Sequence, residues 1–177
     1  MYLKLSDYIS NFLIKKKLLN IYSVTGGGSM YLNDSFGNNK SLKVLYTHHE
    51  QSAAMCAEGE ARLTGKPGIV CVTSGPGGTN AITGVVGAWI DSIPMIIFSG
   101  QVMKKEMINR QKIRQFGVQE INIIDIVKPI TKFSISIKKS HEIDYYLNKA
   151  YDIATSGKKG PVWIDIPLDL QNSLINT

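Results

Sequence analysis

Apolar positions recur along this chain with two spacings, helical in some stretches and continuous or alternating in others. From residue 5 to 18 they fall at Leu5, Ile9, Phe12, Leu13 and Leu18, which predicts an amphipathic helix capped by Ser6 or Asp7. Residues 20–25 read as a short strand entering Gly26-Gly27-Gly28, with a helix from about 29 to 34. Residues 43–46 are strand-like, and 50–63 predict a helix stopped by Gly65 and Pro67. The run 68–73 is continuously apolar, the pattern of a strand buried on both faces of a parallel sheet. A turn at 74–78 leads into a helix over 79–89 with Thr79 as its cap, then a buried strand at 95–98. Residues 102–121 are polar and irregular, 132–137 alternate as an edge strand or a connection, 142–155 are helical and 162–166 form the last strand. Strands separated by helices need crossover connections, so they pair in parallel. The expected fold class is α/β: a three-layer α/β/α, doubly wound domain with a mainly parallel sheet. Ligands bind such folds outside the carboxyl ends of the strands. The glycine-rich turns follow Thr25, Thr73 and Ser99, at predicted strand ends, so the unusual residues gather on one edge.

Length and composition narrow this further. The 177 residues suit a single domain. With 44% hydrophobic and 19% charged residues, the chain has the balance of a folded domain rather than a disordered one. No apolar run reaches the ~18–20 residues of a membrane span, so no membrane association is expected. The N-terminal stretch carries Lys4 and Asp7 among its apolar residues and lacks a secretory signal pattern, which argues against export. Two cysteines, Cys56 and Cys71, without C-x-x-C spacing, exclude a disulfide framework or cysteine-rich zinc site and point to the cytoplasm. Both are expected to be small buried hydrophobes. The net charge of +6 comes from short, scattered lysine groups without interleaved aromatics. Such groups read as solvated faces, not as a nucleic-acid interface.

Three stretches carry candidate chemistry. Thr73-Ser74-Gly75-Pro76-Gly77-Gly78-Thr79-Asn80 is a glycine-rich turn before a helix, able to present backbone N–H groups to an anion. It is neither a dinucleotide fingerprint, which needs glycine where Asn80 stands, nor a P-loop, which needs Gly-Lys-Ser/Thr. A plain strand-to-helix turn is the alternative. His48-His49-Glu50-Gln51 is not a zincin motif, because Ala53 occupies the second histidine position. Glu50 in a first helical turn complements the helix dipole whatever else it does. After it, Ala53, Ala54, Ala57 and Ala61 form a small-residue stripe that admits close packing of the sheet, a helix or a second subunit, while Glu58 and Glu60 are expected to face solvent.

Taken in order, His49-Glu50-Gln51, Ala57-Glu58-Gly59, Ala61-Arg62-Leu63-Thr64-Gly65, the stretch from Thr73 to Asn80, Asp91-Ser92-Ile93-Pro94, Ser99-Gly100-Gln101-Val102 and Gly160-Pro161-Val162-Trp163-Ile164-Asp165-Ile166-Pro167 resemble the N-terminal pyrimidine-binding domain of thiamine diphosphate-dependent enzymes. The acetolactate synthase-like branch is the closest group. The resemblance implies that Glu50 bonds the N1′ nitrogen of the cofactor's aminopyrimidine and assists deprotonation of the thiazolium carbon. The resemblance further implies catalytic roles for Glu50 and Gln119, the latter near the substrate. Cofactor contacts are implied for Gly27, Gly28, Glu50, Thr73, Gly75, Pro76, Gly77 and Asn80. No metal ligand is implied in this chain.

The implied reaction is decarboxylation of a 2-keto acid, pyruvate foremost, with transfer of the acyl carbanion to a carbonyl acceptor. The implied cofactors are thiamine diphosphate and Mg²⁺, the metal held by a diphosphate-binding domain with a Gly-Asp-Gly…Asn motif. That motif is not found in this sequence, nor is the middle domain that binds FAD in acetolactate synthases. Residues 1–177 therefore read as one pyrimidine-binding domain, inactive alone, that works with the diphosphate-binding domain of a partner subunit in a homodimer or tetramer. Val24-Thr25-Gly26-Gly27-Gly28 stands where acetolactate synthases have Gly-Tyr-Pro-Gly-Gly, and Val118-Gln119-Glu120 where they have Phe-Gln-Glu. The alternatives are the small subunit of a split 2-keto acid decarboxylase and a non-catalytic flavodoxin-like binding or regulatory domain.

Overall fold

A computed structural model describes residues 2–108 and 113–176. Six strands form one parallel sheet: β2 (Asn20–Ser23), β3 (Lys43–Tyr46), β4 (Gly68–Val72), β5 (Met95–Gln101), β6 (Phe133–Ser136) and β7 (Pro161–Pro167), in the spatial order β3-β2-β4-β5-β7-β6. Two short strands, β1 (Tyr2–Lys4) and β8 (Leu174–Asn176), pair antiparallel beside it. The helices are α1 (Leu5–Lys15), α2 (Met30–Gly37), α3 (Glu50–Thr64), α4 (Pro76–Ile90), α5 (Ile123–Val127), α6 (Ile143–Thr155) and α7 (Leu168–Gln171). The expected three-layer, doubly wound α/β/α class is the observed one.

The layers follow from side-chain alternation on the strands. In β4 and β5, Val70, Val72, Met95 and Ile97 join the alanines of α3 and α4 with Trp163 in one core. Ile69, Cys71, Ile96 and Phe98 join α1, α2 and α6 in the other. Connections running from β3 toward β6 place α3, α4 and α5 on the first face; the reversed ones place α2 and α6 on the second. That is the outcome right-handed crossovers require. Order therefore reverses at β2, and the loops leaving β2 and β4 diverge there, opening a crevice at their carboxyl ends.

Several expectations are corrected. Helix α1 starts at Leu5 and has no side-chain cap, because β1 runs directly into it. Ser6 is buried against Ser35 instead. Helix α4 starts at Pro76 with Gly75 as its N-cap at φ +59. Thr79 is a first-turn residue whose hydroxyl donates to the Pro76 carbonyl. Ser99 and Gly100 lie inside β5 rather than in a turn. A Cβ on Gly100 would fall 2.0 Å from the Gly28 carbonyl oxygen, so this glycine permits a close backbone approach. Cys71 is buried, and burial pushes its thiol up to about 12, but Cys56 is exposed on the outer face of α3. Glu60 is half-buried and accepts from Asn20 Nδ2 at 2.7 Å. Burial, helped by this carboxylate, raises the Tyr22 phenol. The strand at 162–166 is followed by β8, and α5 lies between 121 and 132, where the sequence pattern assigns no element. Within the irregular stretch at 102–121, positions 109–112 lie outside the described residues.

Candidate cofactor and substrate site

Helices α3 and α4 meet with almost no side chain between them. A Cβ on Gly84 would fall 2.6 Å from the Cβ of Ala54, and one on Gly68 would fall 2.0 Å from the Ala57 carbonyl. The alanine stripe of α3 is thus consumed within the chain, by α4 and the sheet. This close approach brings the N-termini of the two helices together. Glu50 is the first residue of α3, behind His49, whose Nδ1 accepts from the Gln51 N–H.

Glu50 is only 9% exposed. Its Oε2 accepts from Asn80 Nδ2 at 3.0 Å. Oε1 would lie 3.5 Å from a Cβ on Gly77, and no donor within the described residues engages it. A carboxylate oxygen is therefore left beside bare backbone, on a ledge that Gly77 keeps open. A flat heterocycle with an N–H or ring nitrogen fits such a ledge, and a bulkier residue at position 77 would fill it.

The second half of the site is a cavity of 490 Å³ over the switch point. Gly27, Gly28, Thr73 and Gln119 line it, together with Met30, Val102, Glu106, Phe116, Val118 and Leu168. Thr73 locks the two diverging loops together: Gly28 N–H donates to its Oγ1 at 3.0 Å, and a Cβ on Gly26 or Gly77 would strike its side chain. Gln171 Nε2 fixes the Gly28 carbonyl at 2.7 Å. Gly75 joins the halves, for a Cβ there would fall 2.4 Å from the Gln119 carbonyl oxygen. Gln119 itself holds φ +57, a left-handed conformation that costs a non-glycine residue roughly 1–3 kcal/mol.

The sequence-predicted residues therefore form two groups. Glu50, Gly77 and Asn80 meet at the ledge; Gly27, Gly28, Thr73 and Gln119 meet at the cavity, with Gly75 between them and Pro76 exposed at the start of α4. Sequence reading did not single out Met30, Glu106 or Leu168 as cavity residues. The only signal was that large apolar residues interrupt polar stretches after β2 and β5. It also missed Asp165, which is 1% exposed and accepts from Ser99 Oγ at 2.6 Å and Ser136 Oγ at 3.1 Å. Burial drives its carboxyl up to about 7 despite these donors. Among the described residues, no three His, Cys, Asp or Glu side chains cluster to hold a metal, and no helix is long and apolar enough to cross a membrane.

Residues 3–126 match the family model described as thiamine pyrophosphate enzyme, N-terminal TPP binding domain. The chain is 38% identical over 165 residues to the acetolactate synthase large subunit of Buchnera aphidicola subsp. Acyrthosiphon pisum, covering 93% of this chain and 28% of that protein. It is 41% identical over 152 residues to the large subunit of Haemophilus influenzae, covering 86% and 26%. With the chloroplastic acetolactate synthase of Arabidopsis thaliana it shares 34% over 169 residues, covering 96% and 24%. The chain thus spans about a quarter of the length of these relatives. These likenesses favour an enzyme domain over a flavodoxin-like regulatory one or a nucleic-acid binder.

Proposed function

Because the chain belongs to the thiamine pyrophosphate enzymes, as their N-terminal TPP-binding domain, we propose that it forms the pyrimidine side of the cofactor site in an acetolactate synthase-like enzyme. That enzyme decarboxylates a 2-keto acid, pyruvate by likeness to its relatives, and passes the acyl unit to a carbonyl acceptor. The observation that carries this reading is Glu50: a nearly buried carboxylate with Oε2 fixed by Asn80 and Oε1 open beside Gly77. Bound there, the cofactor would supply a thiazolium ring whose deprotonated carbon is the nucleophile and whose cationic ring is the electron sink.

The chain's own residues do the rest. Glu50 Oε1 would hold a proton at N1′ of the aminopyrimidine, and Asn80, donating to Oε2, keeps the carboxyl from rotating away. Gly77 would leave room for the ring, and Gly75 and Pro76 set the direction of the α4 N-terminus. Gly27, Gly28 and Thr73 form the rim shared with the cavity, where Gln119 faces the 2-keto acid. Met30, Val102, Phe116 and Leu168 give the cavity an apolar lining, which would exclude water from the reacting atoms only once the partner domain covers it, since Met30 and Phe116 are exposed in this chain.

Mg²⁺ and the diphosphate fall to the diphosphate-binding domain of a partner subunit, and FAD, if the complete enzyme uses it, to a middle domain; both lie outside this chain. The assembly is a homodimer or tetramer in the cytoplasm, joined through the outer faces of α3 and α4. Met55, Leu63 and Ile90 stand exposed there, since the alanine stripe is already used internally. In the full-length enzyme, Glu50→Gln should lower 2-keto acid turnover by about 10²–10⁴-fold while thermal stability stays close to the parent's. Turnover within a few-fold of the parent would refute the role of Glu50.

A further inference from the structure

The turn that presents Gln119 is held from behind. Glu120 is 8% exposed, and its carboxylate accepts from three backbone N–H groups: Ile108, Phe116 at 3.4 Å and Gly117 at 3.2 Å. Its own N–H closes the turn on the Gly117 carbonyl at 3.2 Å. On the far side, Gln101 Nε2 donates to the Ile121 carbonyl at 2.9 Å, while Gln101 Oε1 accepts from the Val102 N–H. Between these ties Gln119 sits at φ +57 over Gly75.

A glutamine released from its surroundings leaves the left-handed region, so something must hold it there. A buried carboxylate needs donors for its lone pairs, and charge-assisted bonds to backbone N–H groups are strong. Phe116, Gly117, Val118 and Gln119 all line the 490 Å³ cavity, whereas Glu120 does not. It lines instead a neighbouring cavity on the other side of the wall, with Gln101, Ile121 and Asp165, and its two carboxylate oxygens are taken up by the backbone N–H groups of Ile108, Phe116 and Gly117.

We propose that Glu120 is a positioning residue, whose carboxylate fixes the turn at 117–120 so that the Gln119 side chain is held toward the substrate cavity. This rests on the reading of Gln119 as a substrate-facing residue. It predicts that the two neighbours act as one unit. Loss of the carboxylate frees the turn, and Gln119 then contributes as if it were absent.

The test uses the full-length enzyme carrying Glu120→Gln, Gln119→Ala, both together, and Glu50→Gln as a reference. Glu120→Gln should lower kcat/KM for the 2-keto acid about 10- to 100-fold, chiefly through KM. Thiamine diphosphate binding, measured by calorimetry, should stay within about two-fold. The double variant should be no worse than Gln119→Ala, since residues acting as a unit are not additive. Hydrogen exchange supplies a readout without turnover: the amides of Phe116 and Gly117 should exchange faster in Glu120→Gln while β4 and β5 stay protected.

Losses that multiply in the double variant, or unchanged exchange at Phe116 and Gly117, overturn the proposal. Gln119→Ala with parental kinetics also overturns it, and leaves the reading of Glu50 standing if Glu50→Gln is inactive. A fully active Glu50→Gln defeats the cofactor reading instead, a result separable from the exchange data on Glu120.

Discussion

Glu50 stands at the first turn of a fifteen-residue helix, whereas Gln119 stands in a turn without a regular element on either side until α5. The first is held by packing. Its position follows from where α3 starts, and α3 cannot shift because Ala54 abuts Gly84 and Ala57 abuts Gly68. The second is held by polar ties from Glu120, Gln101 and the Asp165 network. Packing fixes a group independently of pH. Polar ties hold only while their donors and acceptors keep the right protonation state.

That difference is largest in its response to pH. Asp165 has a carboxyl raised to about 7 by burial, against roughly 3.9 in an unfolded chain. Between these values the folded state binds more protons than the unfolded one. Stability contributed by the protonated group is therefore full below about pH 4, falls as pH rises through the window, and levels off above about 7. The shift corresponds to something on the order of 4 kcal/mol across the window. Urea midpoints measured from pH 4.5 to 8 should fall for the parent chain and lose most of that slope in Asp165→Asn. Equal slopes in the two proteins would remove Asp165 from the account.

Regular packing is less dependent on conditions but less forgiving of volume. On an exposed helix, Gly→Ala gains about 1 kcal/mol from propensity. At Gly84 the added methyl would sit 2.6 Å from the Ala54 Cβ and 3.0 Å from that residue's carbonyl carbon. Gly84→Ala should therefore destabilise by about 1–3 kcal/mol, measured by chemical denaturation, and weaken thiamine diphosphate binding because Glu50 moves with α3. A stabilised Gly84→Ala protein would mean that the two helices adjust freely, and the contrast between packed and tied halves would fail.

The same contrast sets what was readable from the amino acids alone. The packed half was visible. The Lys43–Tyr46 strand, the start of α3 at Glu50, its left-handed stop at Gly65 and the buried run of β4 all follow from local pattern and punctuation. Glu50, Gly77 and Asn80 do meet. In the tied half Gln119 was named through the resemblance, but what holds it was not visible, because its anchors are backbone N–H and carbonyl groups that no side-chain pattern reports. Glu120 sat inside a recognised motif, yet its partners at Ile108, Phe116 and Gly117 carry no signal of their own. Gly100 reads as a turn residue, although it is a strand residue that makes room for the Gly28 carbonyl. Strands β1 and β8, three residues each, are too short to show a period, and α5, with five residues, is masked by the polar segment before it.

The smallest expected effect tests the tied half at its strained point. Gln119 occupies φ +57, which glycine adopts freely. Gln119→Gly removes that local strain but adds backbone freedom to the unfolded chain, and the two contributions nearly offset. The net change in stability should be a gain below about 1 kcal/mol, while 2-keto acid turnover by the full-length enzyme falls as far as in Gln119→Ala. Stability and activity would then move in opposite directions at one residue, the mark of a conformation held for its side chain. A loss of more than about 1 kcal/mol in Gln119→Gly would show that the side chain itself stabilises the turn, and the division between a packed ledge and a tied wall would have to be redrawn at that residue.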